Sequence, residues 1–146
     1  MLIFSFGFIL GIIIIEFIRY VFEFHSFFRT PKRSWIGFDL DGTLAYGEEG
    51  RYHPAKIGQP VPKMVELVKK YIAEGRDVKI FTARVSGGGS IIRLIEVFRT
   101  RYHIRKWCKE HIGQSLPIVC VKDYRMHLLY DDRARQVTTD TGEIVT

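Results

Sequence analysis

The stretch Trp35-Ile36-Gly37-Phe38-Asp39-Leu40-Asp41-Gly42-Thr43-Leu44 constrains this chain more than any other. A short apolar run ending in two carboxylates spaced i and i+2, followed by Gly-Thr, predicts a buried strand that delivers acids to a turn at its C-terminal end. Side chains alternate along a strand, so Asp39 and Asp41 share one side and Leu40 packs on the other. Two like charges held that close need a cation or a shared proton. A solvated turn explains a lone Asp-x-Asp, but the apolar residues before this pair bury the strand. The acids then sit where an open α/β sheet binds ligands. A calcium loop fails on register: with Asp39 at position 1, the glycine position falls on Leu44 and the bidentate acid position on Gly50.

The rest of the chain supplies further strand ends. Residues 45–59 show no period and form a long loop directly after the acids, the kind of loop that covers sites. Pro60 and Pro62 open a helix with the apolar stripe Met64, Leu67, Val68, Tyr71 and Ile72, closed by Gly75. Val78 to Phe81 is a second strand, ending in Thr82-Ala83-Arg84. Ser90 caps a helix through Ile91, Leu94, Ile95, Phe98 and Tyr102. A second helical stretch carries Ile104, Trp107, Cys108 and His111. The apolar phase slips between them near Tyr102 and His103, which predicts a kink or break. Residues 117–121 form a third strand before Lys122-Asp123, and 126–130 a fourth before Asp131-Asp132-Arg133. Residues 136–139 and 143–145 read as a closing hairpin around Asp140-Thr141-Gly142.

The fold class expected is α/β, a Rossmann-like parallel sheet with flanking helices, preceded by an N-terminal hydrophobic helix. Residues 1–18 carry one acid, Glu16, and would span about 27 Å as a helix, close to the hydrocarbon thickness of a bilayer. The segment lacks a basic n-region and a small-residue cleavage site, so it reads as an uncleaved anchor, with a helix packed on the domain or a partner as the alternative. Arg19, Arg29, Lys32 and Arg33 all follow it, which predicts a membrane-anchored protein with its catalytic domain cytoplasmic; a soluble cytoplasmic protein is the alternative. The domain boundaries are 1–29 for the hydrophobic and juxtamembrane segment, 30–34 for a linker and 35–146 for one globular domain. A net charge of +6 favours anionic partners without naming one. Cys108 and Cys120 have no zinc-ligand spacing and indicate free thiols in a reducing compartment.

In a βαβ chain these strand ends collect along one sheet edge. The ordered set Asp39-Leu40-Asp41-Gly42-Thr43, Thr82, Lys122 and Asp131-Asp132 resembles the four motifs of the haloacid dehalogenase-like (HAD) phosphohydrolases, from Ile36 to about Val137. It looks most like the small phosphatases of this type found in phages and bacteria. The resemblance implies Asp39 as nucleophile forming an aspartyl phosphate, and Asp41 as proton donor and then base. It implies Mg²⁺ held by Asp39, the Asp41 backbone carbonyl and the Asp131-Asp132 pair. Thr82 would bond a phosphoryl oxygen and Lys122 would neutralise charge, with a strand-end cap and a surface charge as their plain alternatives. Arg84 and Arg133 stay open between phosphate contact and structural ion pairs. The spacing leaves no room for a lid domain, so the enzyme should be essentially capless.

The leading expectation is thus a Mg²⁺-dependent phosphatase acting on a phosphorylated small molecule or nucleotide. The excess of Lys and Arg over acids in residues 90–112 is either a solvated face or a phosphate-backbone track. The second keeps open a nucleic-acid end-processing phosphatase, similar to 3′-phosphatases. A non-catalytic membrane-tethered binding module of the same fold is the third alternative.

Overall fold

The computed structural model describes residues 14–15, 18, 34–47, 53–87 and 90–145. The expected N-terminal helix and linker fall almost wholly outside them. Among the described residues no helix is long and apolar enough to cross a membrane.

Four parallel strands form one sheet in the order β3-β2-β1-β4. Strand β1 (Trp35–Asp39) lies inside it, with β2 (Asp77–Phe81) on one side and β4 (Met126–Tyr130) on the other. Residues 35–38 are buried, as expected of an inner strand covered on both faces. Asp39 pairs with Phe81, so the first and second strands end level. Strand β3 is shorter than its apolar run: only Ile118–Val119 pair, opposite Ile80 and Phe81. An edge strand has one neighbour to bond, so an apolar run need not stay in the ladder. Val121 is out in solvent. The closing hairpin is likewise reduced to one antiparallel bridge, Val137 to Ile144.

Helix α1 (Pro62–Ala73) has proline at its first turn and leaves through Gly75 at φ +71, a left-handed position that suits glycine. Its expected stripe packs against the core, joined by Val65. Tyr71 bonds the hydroxyl of Tyr130 at 2.8 Å, and Tyr130 stacks on Phe38 at 4.6 Å, tying α1 to β4 and β1.

Helix α2 (Ile91–His111) departs from expectation in its continuity. It is one continuous helix of 21 residues, without a break at Tyr102 or His103. Its buried side is Val97, Thr100, Ile104, Trp107 and Cys108, whereas Ile91, Leu94, Ile95 and Tyr102 are exposed. The phase slip marks two apolar stripes on different faces of one helix, of which the second is core. Trp107 belongs to that core and donates to the Gly58 carbonyl at 3.0 Å, while His111 packs edge-on against Trp107. Burial pushes the Cys108 thiol up to about 12, so it stays an unreactive thiol, and Cys120 is half-buried.

Candidate functional site

The turn after β1 builds the site. Leu40, Leu44 and Ala45 are buried, and the Ala45 N–H donates to Leu40 while the Gly42 N–H donates to Ala45, both at 2.8 Å. Gly42 sits at φ +87, and a Cβ there would come within 2.6 Å of the Asp132 carboxylate. Glycine therefore serves both the backbone and the close approach of the next motif. Buried Thr43 accepts the Asp132 N–H at 3.1 Å through its hydroxyl. The Gly-Thr pair thus fastens the end of β4 to the end of β1, and this brings three carboxylates together.

Asp39, Asp131 and Asp132 each offer an oxygen within 4.8 Å of the other two. Burial, foremost, and the charges of Asp131, Asp41 and Asp132 raise the Asp39 carboxyl to about 6, against a lowering bond from the Leu40 N–H. Three hard oxygen donors so crowded suit a divalent cation such as Mg²⁺ or Ca²⁺. The sign of the pH effect follows from the raised value. A carboxyl that binds its proton more tightly in the folded state stabilises the fold fully below its unfolded value, near 3.8, and loses that contribution as pH rises through about 6. We expect cation-free protein to melt lower at about pH 7 than at about pH 5, and Asp39→Asn to flatten this trend. Millimolar Mg²⁺ should raise the melting temperature more at the higher pH, since cation and proton compete for the same oxygens. Calorimetric scans at both pH values check this; equal Mg²⁺ effects would count against a cation at Asp39.

Asp41 does not join the cluster. Arg84 chelates its carboxylate with Nε at 2.5 Å and Nη2 at 2.7 Å, a paired geometry that fixes both oxygens. Arg84 also donates to the His53 carbonyl at 3.2 Å. In the structure Arg84 makes this ion pair on the wall of the same cavity. Arg133 lies 3.9 Å from Asp132 but is almost fully exposed, so that pair adds little. Thr82 is buried and accepts the Arg84 N–H at 3.2 Å, capping the short turn that carries Arg84. That bond uses the hydroxyl as acceptor, so its O–H remains a donor at the cavity wall.

These groups surround an open cavity of about 570 Å³. Lys122 is not among its lining residues and is exposed. The neighbouring Asp123 explains the displacement. Its carboxylate accepts from Trp35 Nε1 at 2.9 Å and the Arg125 N–H at 2.8 Å, which draws this segment toward the start of β1, the end away from Asp39. Sequence reasoning missed His53 and Lys56, which line the cavity together with Arg93 of the basic 90–112 region. His53 and Lys56 lie on the returning arm of the loop after β1, held where the Tyr46 N–H donates to Gln59 at 2.9 Å. Arg93 follows the Ser90 cap, and its guanidinium bonds the Ser86 carbonyl and Glu96.

No protein-family model matches this chain, and no curated protein matches it. Among solved structures it is similar to a conserved protein coded by a locus of Bacteroides thetaiotaomicron, at 19% identity over 70% of this chain and 78% of that one, with a TM-score of 0.45. A likeness of that degree assigns no function.

Proposed function

We propose that this chain is a Mg²⁺-dependent phosphomonoester hydrolase of the haloacid dehalogenase-like type, acting on a small phosphomonoester or a nucleotide. The observation that carries the reading is the meeting of Asp39 with Asp131 and Asp132 in a cavity that Thr82 and Arg84 also line. Asp39, Asp41, Asp131 and Asp132 line that cavity against Lys56, Arg84, Arg93 and Arg133. The formal charges of these four acids and four bases cancel. A divalent cation would leave an excess of positive charge, which draws in a phosphate dianion. Asp39, Asp131 and Asp132 would hold the cation, which supplies Lewis-acid neutralisation of the phosphoryl oxygens.

In this reading Asp39 attacks phosphorus, the bond to the leaving oxygen breaks, and an aspartyl phosphate forms. Asp41 gives a proton to the leaving oxygen and later takes one from the water that hydrolyses the intermediate. Arg84 orients Asp41 and exchanges its carboxylate partner for a phosphoryl oxygen when substrate enters. Thr82 donates its hydroxyl hydrogen to a second phosphoryl oxygen. Lys122 drops out of the role the resemblance gives it, and Arg84 with Lys56 supplies the compensating charge. Among the described residues, α1 is the helix between Thr43 and β2, and a short turn and α2 lie between Thr82 and β3, so neither connection holds a lid domain there.

The test is phosphate release from an aryl phosphate, nucleoside monophosphates and a 3′-phosphorylated oligonucleotide, with Mg²⁺ and in excess chelator. Release that falls by more than about 100-fold in chelator and returns with Mg²⁺ is the expected result. Full turnover in chelator by protein shown to retain no metal would contradict it.

A further inference from the structure

We infer that the first half of α2 is a docking face for an anionic lipid surface. This rests on the helix alone and is independent of the reading of the cavity. Ile91, Leu94, Ile95, Phe98 and Tyr102 recur at i, i+3, i+4, i+7 and i+11, a single stripe on a helix. Ile91 is 76% exposed, Leu94 52%, Ile95 43% and Tyr102 50%, and Ile92 beside them is 69% exposed. Five large apolar side chains in solvent on three turns is more than scattered surface hydrophobicity, and a contiguous patch of this kind marks an interaction site. The helix does not need this stripe for its core contact, which Val97, Thr100, Ile104, Trp107 and Cys108 already make from another face.

Charge selects the occupant. At about 100° per residue, Arg99 and Lys106 border one edge of the stripe and Lys109 extends it; all three are exposed. A helix with an apolar face bordered by Lys and Arg is the pattern that lies in the interface of an anionic bilayer. A second copy would bring the same cations against each other. A nucleic-acid backbone would match the cations but leave the isoleucines and leucine in water.

The test uses the full chain carrying Ile95→Trp, added to vesicles of brominated phosphatidylglycerol or brominated phosphatidylcholine. Native Trp35 and Trp107 are buried and provide the background. Tyr124→Trp, at an exposed position away from α2, is the control, and near-ultraviolet dichroism verifies that each variant is folded. The expected result is quenching of Ile95→Trp well above the control in phosphatidylglycerol. Adding Arg99→Glu and Lys106→Glu should weaken vesicle partitioning by about fivefold per charge removed. Quenching equal to the control, or equal in both lipids, would overturn the inference. So would a blue-shifted Ile95→Trp emission that appears with a doubled mass in light scattering, which assigns the face to a second copy. A response to a single-stranded oligonucleotide without bromolipid quenching would assign it to nucleic acid instead.

Discussion

Asp39→Asn should lower phosphate release from any accepted phosphomonoester by about four orders of magnitude or more. The carboxylate is the nucleophile in the proposed reaction, at the end of β1 beside Asp131 and Asp132. Loss of a covalent nucleophile in other enzymes costs about this much, and the residue of activity comes from binding and charge stabilisation. The fold should survive, because the amide keeps the shape of the side chain and removes a charge that burial disfavours at neutral pH. Single-turnover assays with an aryl phosphate, alongside thermal melting, check both halves. A variant that is folded, binds Mg²⁺ and still turns over within about tenfold of the parent would remove Asp39 from the chemistry.

Asp41→Asn should instead show a loss that depends on the leaving group. An alkyl phosphate leaves as a poor, basic alkoxide and needs the proton, so its rate should fall by about 10²- to 10⁴-fold. An aryl phosphate with an activated leaving group needs little protonation and can still phosphorylate Asp39. Hydrolysis of that intermediate also uses Asp41, so phosphoenzyme should accumulate. Arg84 adds a diagnostic: its guanidinium holds both Asp41 oxygens. Arg84→Ala should therefore resemble a milder Asp41→Asn for the alkyl substrate and raise KM for both. Rapid-quench kinetics on an aryl and an alkyl ester separate these effects. Equal losses on the two esters, with no intermediate, would place Asp41 in the fold and not in the proton transfers.

The inner strand and its acids were legible in the sequence because a buried parallel strand is a continuous apolar run, and two acids at its end stand out against it. Parallel order and level strand ends then follow from βαβ connectivity, which is why Asp39, Thr82 and the Asp131-Asp132 pair could be assigned to one edge. Helix α2 was not legible in the same way. It carries two apolar stripes, and hydrophobicity alone does not say which one the sheet will cover; the structure buries the stripe of Ile104 and exposes that of Ile91. Lys122 was placed by motif order, but its backbone follows Asp123, whose bonds to Trp35 and Arg125 are long-range facts that no local pattern encodes. His53 and Lys56 lie in an aperiodic loop. Their only signal was the position of that loop directly after the paired acids. The ion pair of Arg84 with Asp41 joins distant parts of the chain, so only the folded geometry shows it.

The measurement closest to the centre of this account is reductive trapping of the proposed aspartyl phosphate. Borohydride converts a phosphorylated aspartate to homoserine, which peptide mass spectrometry reads at a single position. Turnover of an aryl phosphate in Mg²⁺ should leave homoserine at position 39, most abundantly in Asp41→Asn, and none in chelator or in Asp39→Asn. Phosphate release with no modification at position 39, in protein that borohydride reaches and that is quenched during steady turnover, would show that the reaction does not pass through Asp39.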